Sequence, residues 1–574
     1  MNEDFSTTRR VLLAFGLWMI FMVVWGMFYR SPAPQKPQES PAPATSPQTA
    51  QPPAAPPKAG AQKAEKAAQP AGAPEKAAVV PKAGAQEQLI VVENGLYRIE
   101  ISNRGGVVRS WQLKNYRDHE GRPLDLIHSA AGQQLNGWPF SLALSDAALE
   151  QQVNGELYVA TPSVENLRAP TEILLEWSDG RAEVTKKLKF DASYIVELET
   201  SVVLDGQPVA HGVAWRSGFG DSSEYAHAEQ IKVFYNEDSK IKNLEHKKLG
   251  TPDHPEIRLL EPGAKNYAGI EDRYFAAAFL PRGTGLALWH WKLEREVTAG
   301  GSTQKEPVAE MAAGSTAPGP VALRVFVGPK ALDELGKLNP PLKDLVQWGW
   351  FGIIAEPLFY LLKWIYKYVP NYGWAIILMT LAINIVMFPL KVKSWRSMQK
   401  MQKVMPEVKQ IQDRYKKYSL KDPRRQQMNE EVMKVYRREG VNPMGGCLPM
   451  LLQMPIWIAL YQMLNAAIEL RHAAWILWIK DLSAKDPYYI LPIFMAVTMY
   501  LSQKMMPATS ADPAQQKMMQ MMPIIFGGMF IVIPVSSGLV LYILTSNVIG
   551  MVQQWYLNRT APPANGESKS KEKR

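Results

Sequence analysis

Polar and apolar residues are segregated along this chain: residues 31–345 are ordinary or polar, and residues 346–557 are mostly apolar. Residues 372–390, YGWAIILMTLAINIVMFPL, form an almost wholly apolar stretch about one bilayer long as a helix. It carries one strongly polar side chain, Asn384, with Thr380 one turn earlier on the same face. Apolar stretches at 442–469, 488–506, 518–533 and 538–557 predict four further spans, and the run at 11–29 predicts an N-terminal one within residues 1–30. The pattern therefore predicts six spans: an N-terminal anchor and a five-helix core. The run near the N-terminus also admits a cleaved signal peptide. Its length, Trp18, Trp25 and the lack of a small-residue cleavage site favour an uncleaved anchor.

Between the apolar stretches the periodicity changes. Residues 88–340 show period-two alternation, as in 96–101 (LYRIEI), 184–190 (VTKKLKF) and 321–327 (VALRVFV). Turn pairs at Asn94-Gly95, Gly105-Gly106, Asp179-Gly180 and Asp205-Gly206 punctuate it, which predicts a β-sandwich domain. Residues 31–87 are low-complexity Pro, Ala, Gln and Lys, a linker with too little apolar area to fold and free to let the domain move. In 341–370, Leu358, Leu361, Leu362, Ile365 and Val369 recur at helical spacing opposite Lys363 and Lys367, the pattern of a helix lying in the membrane interface. Pro370-Asn371 separates that helix from the next span.

Residues 391–441 form a basic loop with two amphipathic repeats. Trp395, Met398, Met401, Met405, Val408, Ile411 and Tyr415 define one stripe. Met428, Val432, Val435 and Tyr436 define the other, after an N-cap at Asp422 with Pro423 at the first helical position, and Gly440 ends it. Together they predict an antiparallel helical hairpin. Either its apolar stripe joins the two helices, or Met398, Met401, Met405 and Met428 contact an apolar client, a use to which adaptable methionines are suited.

Charge fixes the orientation. The formal net charge is +10, concentrated in the C-terminal half. The 391–441 loop holds 15 Lys/Arg against 6 Asp/Glu, and residues 558–574 form a basic tail. The positive-inside rule puts both, and Arg9-Arg10, in the cytoplasm and the β-rich domain outside. Basic segments beside apolar spans fit anionic lipid better than nucleic acid. The single cysteine, Cys447, excludes an intrachain disulfide. Trp475 and Trp478 in the following outer loop predict interfacial anchors.

Candidate chemistry is sparse. His246 and His254 lack metal-ligand spacing, residues 217–221 (SGFGD) match neither a nucleophile elbow nor a phosphate loop, and Glu271-Asp272 read as solvated turn residues. No cofactor site and no enzymatic activity are expected. What stands out is uncharged polarity inside the spans: Thr380, Asn384, Gln453, Gln462, Asn465, Thr498, Gln503, Thr545, Ser546 and Asn547. Such groups either bond helix to helix, at roughly 0.6–2 kcal/mol each, or line a hydrated recess that serves as a substrate groove. A small-solute transporter or channel and a membrane-anchored envelope-binding protein also fit this pattern. The absence of charge from span centres weighs against the transporter.

Three runs identify a family resemblance: 441–464 (VNPMGGCLPMLLQMPIWIALYQML), 477–499 (LWIKDLSAKDPYYILPIFMAVTM) and 537–554 (SGLVLYILTSNVIGMVQQ). They resemble the YidC/Oxa/Alb family of membrane protein insertases, in its Gram-negative form with a periplasmic domain. The resemblance implies an inner-membrane insertase and chaperone. Hydrophobic segments of nascent membrane proteins would enter from the cytoplasm and pass through a hydrated groove into the lipid bilayer. The chain would act alone or with the Sec translocon, with the ribosome and signal recognition machinery as further partners. It also implies that Thr380 and Tyr542 are groove residues, that Ile543 stands where some members have a second tyrosine, and that Asn384 replaces a groove arginine found in many members. An asparagine there can hydrogen-bond but cannot attract an acidic tail by charge.

Overall fold

The computed structural model describes residues 81–560 except 119, 222–230, 238–239, 245, 264–265, 284, 300–301, 419–421, 441–447, 506–520, 526, 531–532 and 534. Contacts divide the chain into two units, 1–76 with 510–521 and 77–509 with 522–574, and nearly all described residues belong to the second. The expected anchor, most of the linker, Cys447, the first residues of the expected fifth span and most of the basic tail lie outside the described residues.

The predicted sandwich takes the form of three sheets over one core. The first runs, in spatial order, Pro123–Asp125, Val107–Arg117, Tyr97–Ser102, Leu89–Glu93 and Asn166–Arg168. The largest runs Lys240–Leu244, Lys232–Glu237, Tyr267–Glu271, Phe275–Pro281, Val321–Pro329, Ile195–Leu204, Ala182–Phe190, Thr171–Ser178 and Val159–Thr161, with Gln207–Pro208 paired to Ile195–Leu204. The third runs Glu256–Leu260, Leu286–Ala299, Ser302–Gly314, Gly212–Trp215 and Ser141–Ala143. The alternation predicted from sequence is realised: Tyr97, Ile99 and Ile101 point inward while Arg98 and Glu100 do not. Trp111 of the first sheet stacks edge-on to Phe140 at 6.1 Å and lies 6.3 Å from Trp215 of the third, so aromatic burial holds these two sheets together.

One inward position breaks the apolar rule. In Ala182–Phe190 the inward set is Ala182, Val184, Lys186, Leu188 and Phe190. Lys186 is fully buried, and its ammonium donates to the carbonyls of Gly105 at 2.7 Å, Gly106 at 3.2 Å and Phe140 at 2.8 Å. Those carbonyls belong to the turn of the first sheet and to the entry of the third, so one ammonium ties all three sheets. Burial pushes its pKa down to about 7.

The remainder is helical: α1 (Gly352–Tyr368), α2 (Tyr372–Tyr415), α3 (Arg424–Arg438), α4 (Leu448–Ala466), α5 (Ile490–Met505) and α6 (Ser537–Thr560), with a short apolar helix at Met521–Phe530. Among the described residues one helix, α2, is by length and composition able to cross a membrane. α2 runs without interruption through Pro389 and Pro406, so the expected boundary between span and hairpin at 390/391 is not a break. Asn371 caps its start, accepting from Trp374 N–H at 3.2 Å. α1 begins one turn earlier than the Glu356-Pro357 start. It buries Ala355, Phe359, Leu362 and Ile365 against α2 and α4, leaving Ile353, Tyr360, Trp364 and Tyr368 exposed. The expected apolar face is thus rotated towards the protein, and aromatic residues cover the outer side.

α3 returns along α2: the Tyr415 hydroxyl donates to Glu431 at 2.8 Å, and Arg438 pairs with Glu407 at 2.6 Å. Asp422 caps it by accepting from Arg424 N–H at 2.9 Å. Met401, Val404, Val408 and Ile411 are buried on α2, with Val435 buried on α3. The stripe serves first to join the hairpin.

Candidate functional site

The polar residues expected to line one groove separate into distinct places. At the centre is a seam between α2, α4 and α6. Gln453 donates from its amide to the Tyr542 hydroxyl at 3.1 Å, and the Ser546 side chain also hydrogen-bonds that hydroxyl. Asn384 Nδ2 donates to Ser546 Oγ at 3.4 Å and to the Thr380 carbonyl at 2.9 Å. Asn384 Oδ1 accepts from the Lys391 ammonium at 2.7 Å, and Gln553 Oε1 accepts from the same ammonium at 3.0 Å. Gln553 closes the set by donating to the Asn384 carbonyl at 3.3 Å. Thr380 donates back to the Ile376 carbonyl at 2.6 Å. Thr380, Asn384 and Tyr542 are 0%, 4% and 1% exposed, so they face the bundle interior and not lipid.

Ser546 was among the expected groove residues, whereas Lys391 and Gln553 were not. Their signal was legible: Lys391 follows Asn384 by seven residues and Gln553 follows Ser546 by seven, which keeps each pair on one helix face. The expectation that Asn384 leaves the groove without a positive charge is corrected here. Asn384 holds a lysine, so the charge is present on the same face two turns further along α2.

Gln462 and Asn465 belong elsewhere. Asn465 accepts at its side-chain oxygen from the Arg273 guanidinium of the β-rich domain at 2.6 Å, and its carbonyl accepts from Arg273 Nε at 2.9 Å. Gln462 packs on Gly349, whose positive φ of 69° and bare Cα leave the room its amide needs. Both lie at the end of α4 that meets the β-rich domain. Thr498 on α5 donates back to the Met495 carbonyl at 2.9 Å, and Gln503 and Thr545 are half-buried. Of the methionines, Met401 is buried, and Met398, Met405 and Met428 are half-buried.

The junction at the outer end holds a cluster of buried charge. Arg471, just after α4, pairs with Asp221; their side chains are 4% and 8% exposed. The Arg471 guanidinium also lies 5.5 Å over the Phe275 ring. The half-buried Asp272 accepts from the backbone N–H groups of Tyr274 at 2.8 Å, Phe275 at 2.6 Å and Asp221 at 3.2 Å; desolvation of its carboxylate raises its pKa. Glu271 is buried and pairs with Lys330 at 3.2 Å. The reading of Glu271-Asp272 as solvated turn residues is therefore corrected: they brace the turn that carries Arg273 to Asn465. The 217–221 segment, without catalytic pattern in sequence, supplies the Asp221 anchor. The domain expected to move freely on its linker is fastened here.

Trp475 lies across Gly373, where any Cβ would collide with the indole, and it meets Trp374 edge-on at 5.9 Å. Trp478 donates to Asp486 at 3.1 Å. Both tryptophans brace the outer loop against the protein.

Residues 89–361 match the YidC periplasmic domain family, and residues 364–564 match the family described as 60Kd inner membrane protein. The membrane protein insertase YidC of Geobacter metallireducens is 32% identical over 582 residues, 97% of this chain and 100% of the relative. That of Syntrophus aciditrophicus is 34% identical over 506 residues, 85% of this chain and 88% of the relative. A crystal structure of an active YidC insertase with its first transmembrane domain resolved is 20% identical, covers 84% of this chain and 95% of its own, and superposes with a TM-score of 0.35.

Proposed function

This chain belongs to the YidC family of membrane protein insertases, and from that premise we propose how its residues carry the activity. It is an inner-membrane insertase with a periplasmic domain, and its substrates are membrane proteins. In our reading the polar flank of a client segment enters from the cytoplasm along the seam between α2, α4 and α6. The observation that carries this is the run of uncharged hydrogen-bonding side chains, Gln453, Tyr542, Ser546, Asn384 and Gln553, inside an otherwise apolar bundle. A polar flank crossing lipid alone would lose its hydrogen bonds to water, at several kcal/mol per group. A seam of amides and hydroxyls can exchange partners with that flank as it passes, lowering the barrier without chemical energy. Burial of the client's apolar residues in lipid then drives release.

The finer architecture follows the same reading: six spans with both termini in the cytoplasm, and the α2–α3 hairpin as a cytoplasmic receiving element. Its half-buried Met398, Met405 and Met428 offer adaptable apolar contacts. Action beside the Sec translocon, and delivery from the ribosome and signal recognition machinery, belong to this proposal. The chain is proposed to act without covalent catalysis.

The test is photocrosslinking from Asn384 and Tyr542 to a nascent single-span client, with Ile385 and Val386, on the exposed face of the same helix, as comparison positions. Adducts should form at the seam at early chain lengths. Silence at Asn384 and Tyr542 alongside strong adducts at Ile385 would refute the route.

A further inference from the structure

We propose that Asn558 is a positioning residue for client entry: it straps the α2–α3 hairpin to the neighbouring ends of α5 and α6, at a set angle about Pro389. The inference rests on the reading of the hairpin as the receiving element and adds what holds that element in place. α2 passes from the bundle into the hairpin without a break, yet Pro389 lies at the passage. A proline there has no N–H for the Ile385 carbonyl, four residues earlier, and its ring crowds that turn, so α2 bends most easily here. Trp395 stands six residues further on, about 9 Å along the helix, and Tyr415 at the end of α2 stands about 39 Å along it. A displacement at Trp395 is therefore magnified about fourfold at the far end of the lever. Whatever fixes Trp395 fixes the hairpin.

What fixes it is one amide. The Trp395 side chain is 7% exposed, and its indole N–H donates to Asn558 Oδ1 on α6 at 3.0 Å. A buried indole N–H left without an acceptor is destabilising, which opposes any swing that breaks the bond. The Gln554 amide, one turn earlier on α6, donates to the same oxygen at 3.0 Å and sets the orientation of the Asn558 side chain. Asn558 Nδ2 donates in turn to the Met505 carbonyl at 3.3 Å. Met505 ends α5, in the last turn, whose carbonyls a helix ladder leaves free. One side chain thus joins three helices: its acceptor serves the hairpin side of Pro389 and its donor the bundle side. Asn558 lies on an exposed face of α6, where a stronger helix former would cost nothing in packing, and these bonds account for an asparagine there. None of them involves Gln453, Tyr542 or Asn384, so the strap can be cut and those seam residues left as they are.

The experiment uses the full chain in lipid nanodiscs, with Cys447→Ser and spin labels at Leu378 and Lys434, exposed positions on the bundle half of α2 and on α3. Their distance reports the angle about Pro389. Asn558→Leu keeps the size of the side chain and removes its bonds, and Trp395→Phe keeps a ring and removes the N–H. Each should broaden a narrow wild-type distribution, and the double variant should be no broader than either, because both cut the same bond. Insertion of a purified single-span protein is then measured in proteoliposomes at increasing concentration of that protein. Both variants should raise the half-saturating concentration on the order of fivefold, the loss of one hydrogen bond, and leave the maximal rate unchanged. Narrow distributions in both variants overturn the strap and leave the hairpin standing as the receiving element. Broadened distributions with an unchanged half-saturating concentration overturn the receiving element, and this proposal with it. A lower maximal rate at an unchanged half-saturating concentration assigns Asn558 to the stability of α6 and also overturns the proposal.

Discussion

Lys186→Met tests the buried tie between the three sheets. The perturbation keeps the aliphatic stem and removes the ammonium that donates to Gly105, Gly106 and Phe140. Two effects oppose each other near neutral pH. Three buried carbonyls lose their donor, at about 1–3 kcal/mol each. Against this, the fall of the Lys186 pKa from 10.5 to about 7 is equivalent to about 5 kcal/mol of charge burial that the variant no longer bears. At pH 7 the two terms are of similar size, so the difference between the two chains should lie within about 4 kcal/mol of zero. The discriminating observable is pH dependence. Between pH 7 and 10.5 the unfolded chain binds more protons at this site than the folded one, so wild-type stability rises with pH across that window. From pH 7 to 9 the wild type should gain about 2 kcal/mol on the variant. For a domain of this size that is about 4–8 °C in Tm. The assay is thermal unfolding of the full chain in detergent micelles, followed by tryptophan emission at matched scan rate, at pH 7, 8 and 9. Tyrosines that titrate at higher pH are common to both chains and cancel in the difference. Parallel Tm profiles would refute the reasoning, since they would mean that the three carbonyls fully offset the desolvation and hold the lysine charged throughout.

Other outcomes follow from the same geometry. Arg471→Ala removes the buried guanidinium that pairs with Asp221 and should destabilise the junction; spin-label distances between the β-rich domain and α4 should broaden, and an unchanged distribution would refute the fastening. Gly373→Leu drives a side chain into Trp475 and should destabilise by about 1–3 kcal/mol, read as a lowered Tm. Tyr542→Phe removes the acceptor for the Gln453 amide, costing about 1 kcal/mol of stability; insertion should slow for clients with polar flanks, and equal rates would argue against the seam as the route. Glu310 accepts from Ser217 N–H at 2.7 Å and Trp291 Nε1 at 2.8 Å, and burial raises its pKa. The folded chain therefore holds that proton more tightly than the unfolded chain, and stability falls as pH rises above the ordinary carboxylate range. Glu310→Gln should flatten that fall in a Tm series from pH 4 upward.

The order of β-rich and helical regions, the hairpin of α2 and α3 and the inward placing of Asn384 and Thr380 were readable from the sequence. Each rests on local information: hydrophobic period, caps, turn residues and the cost of polarity within an apolar run. What the sequence could not settle was partnership. Lys186 looks like one of several lysines in an alternating strand, and only the meeting of three sheets shows why an inward position holds a charge. Glu271 and Asp272 look like turn residues; only the approach of Lys330 and of the Asp221 backbone shows what they pair with. Gln462 and Asn465 share the composition of the seam, yet they lie at the other end of α4. Lys391 reads as the first residue of a basic loop until α6 brings Gln553 beside it. Local sequence sets which groups a helix or strand presents and on which face. Which of those faces meet, and whether a charge finds a counterion, depends on contacts across hundreds of residues that no local period encodes.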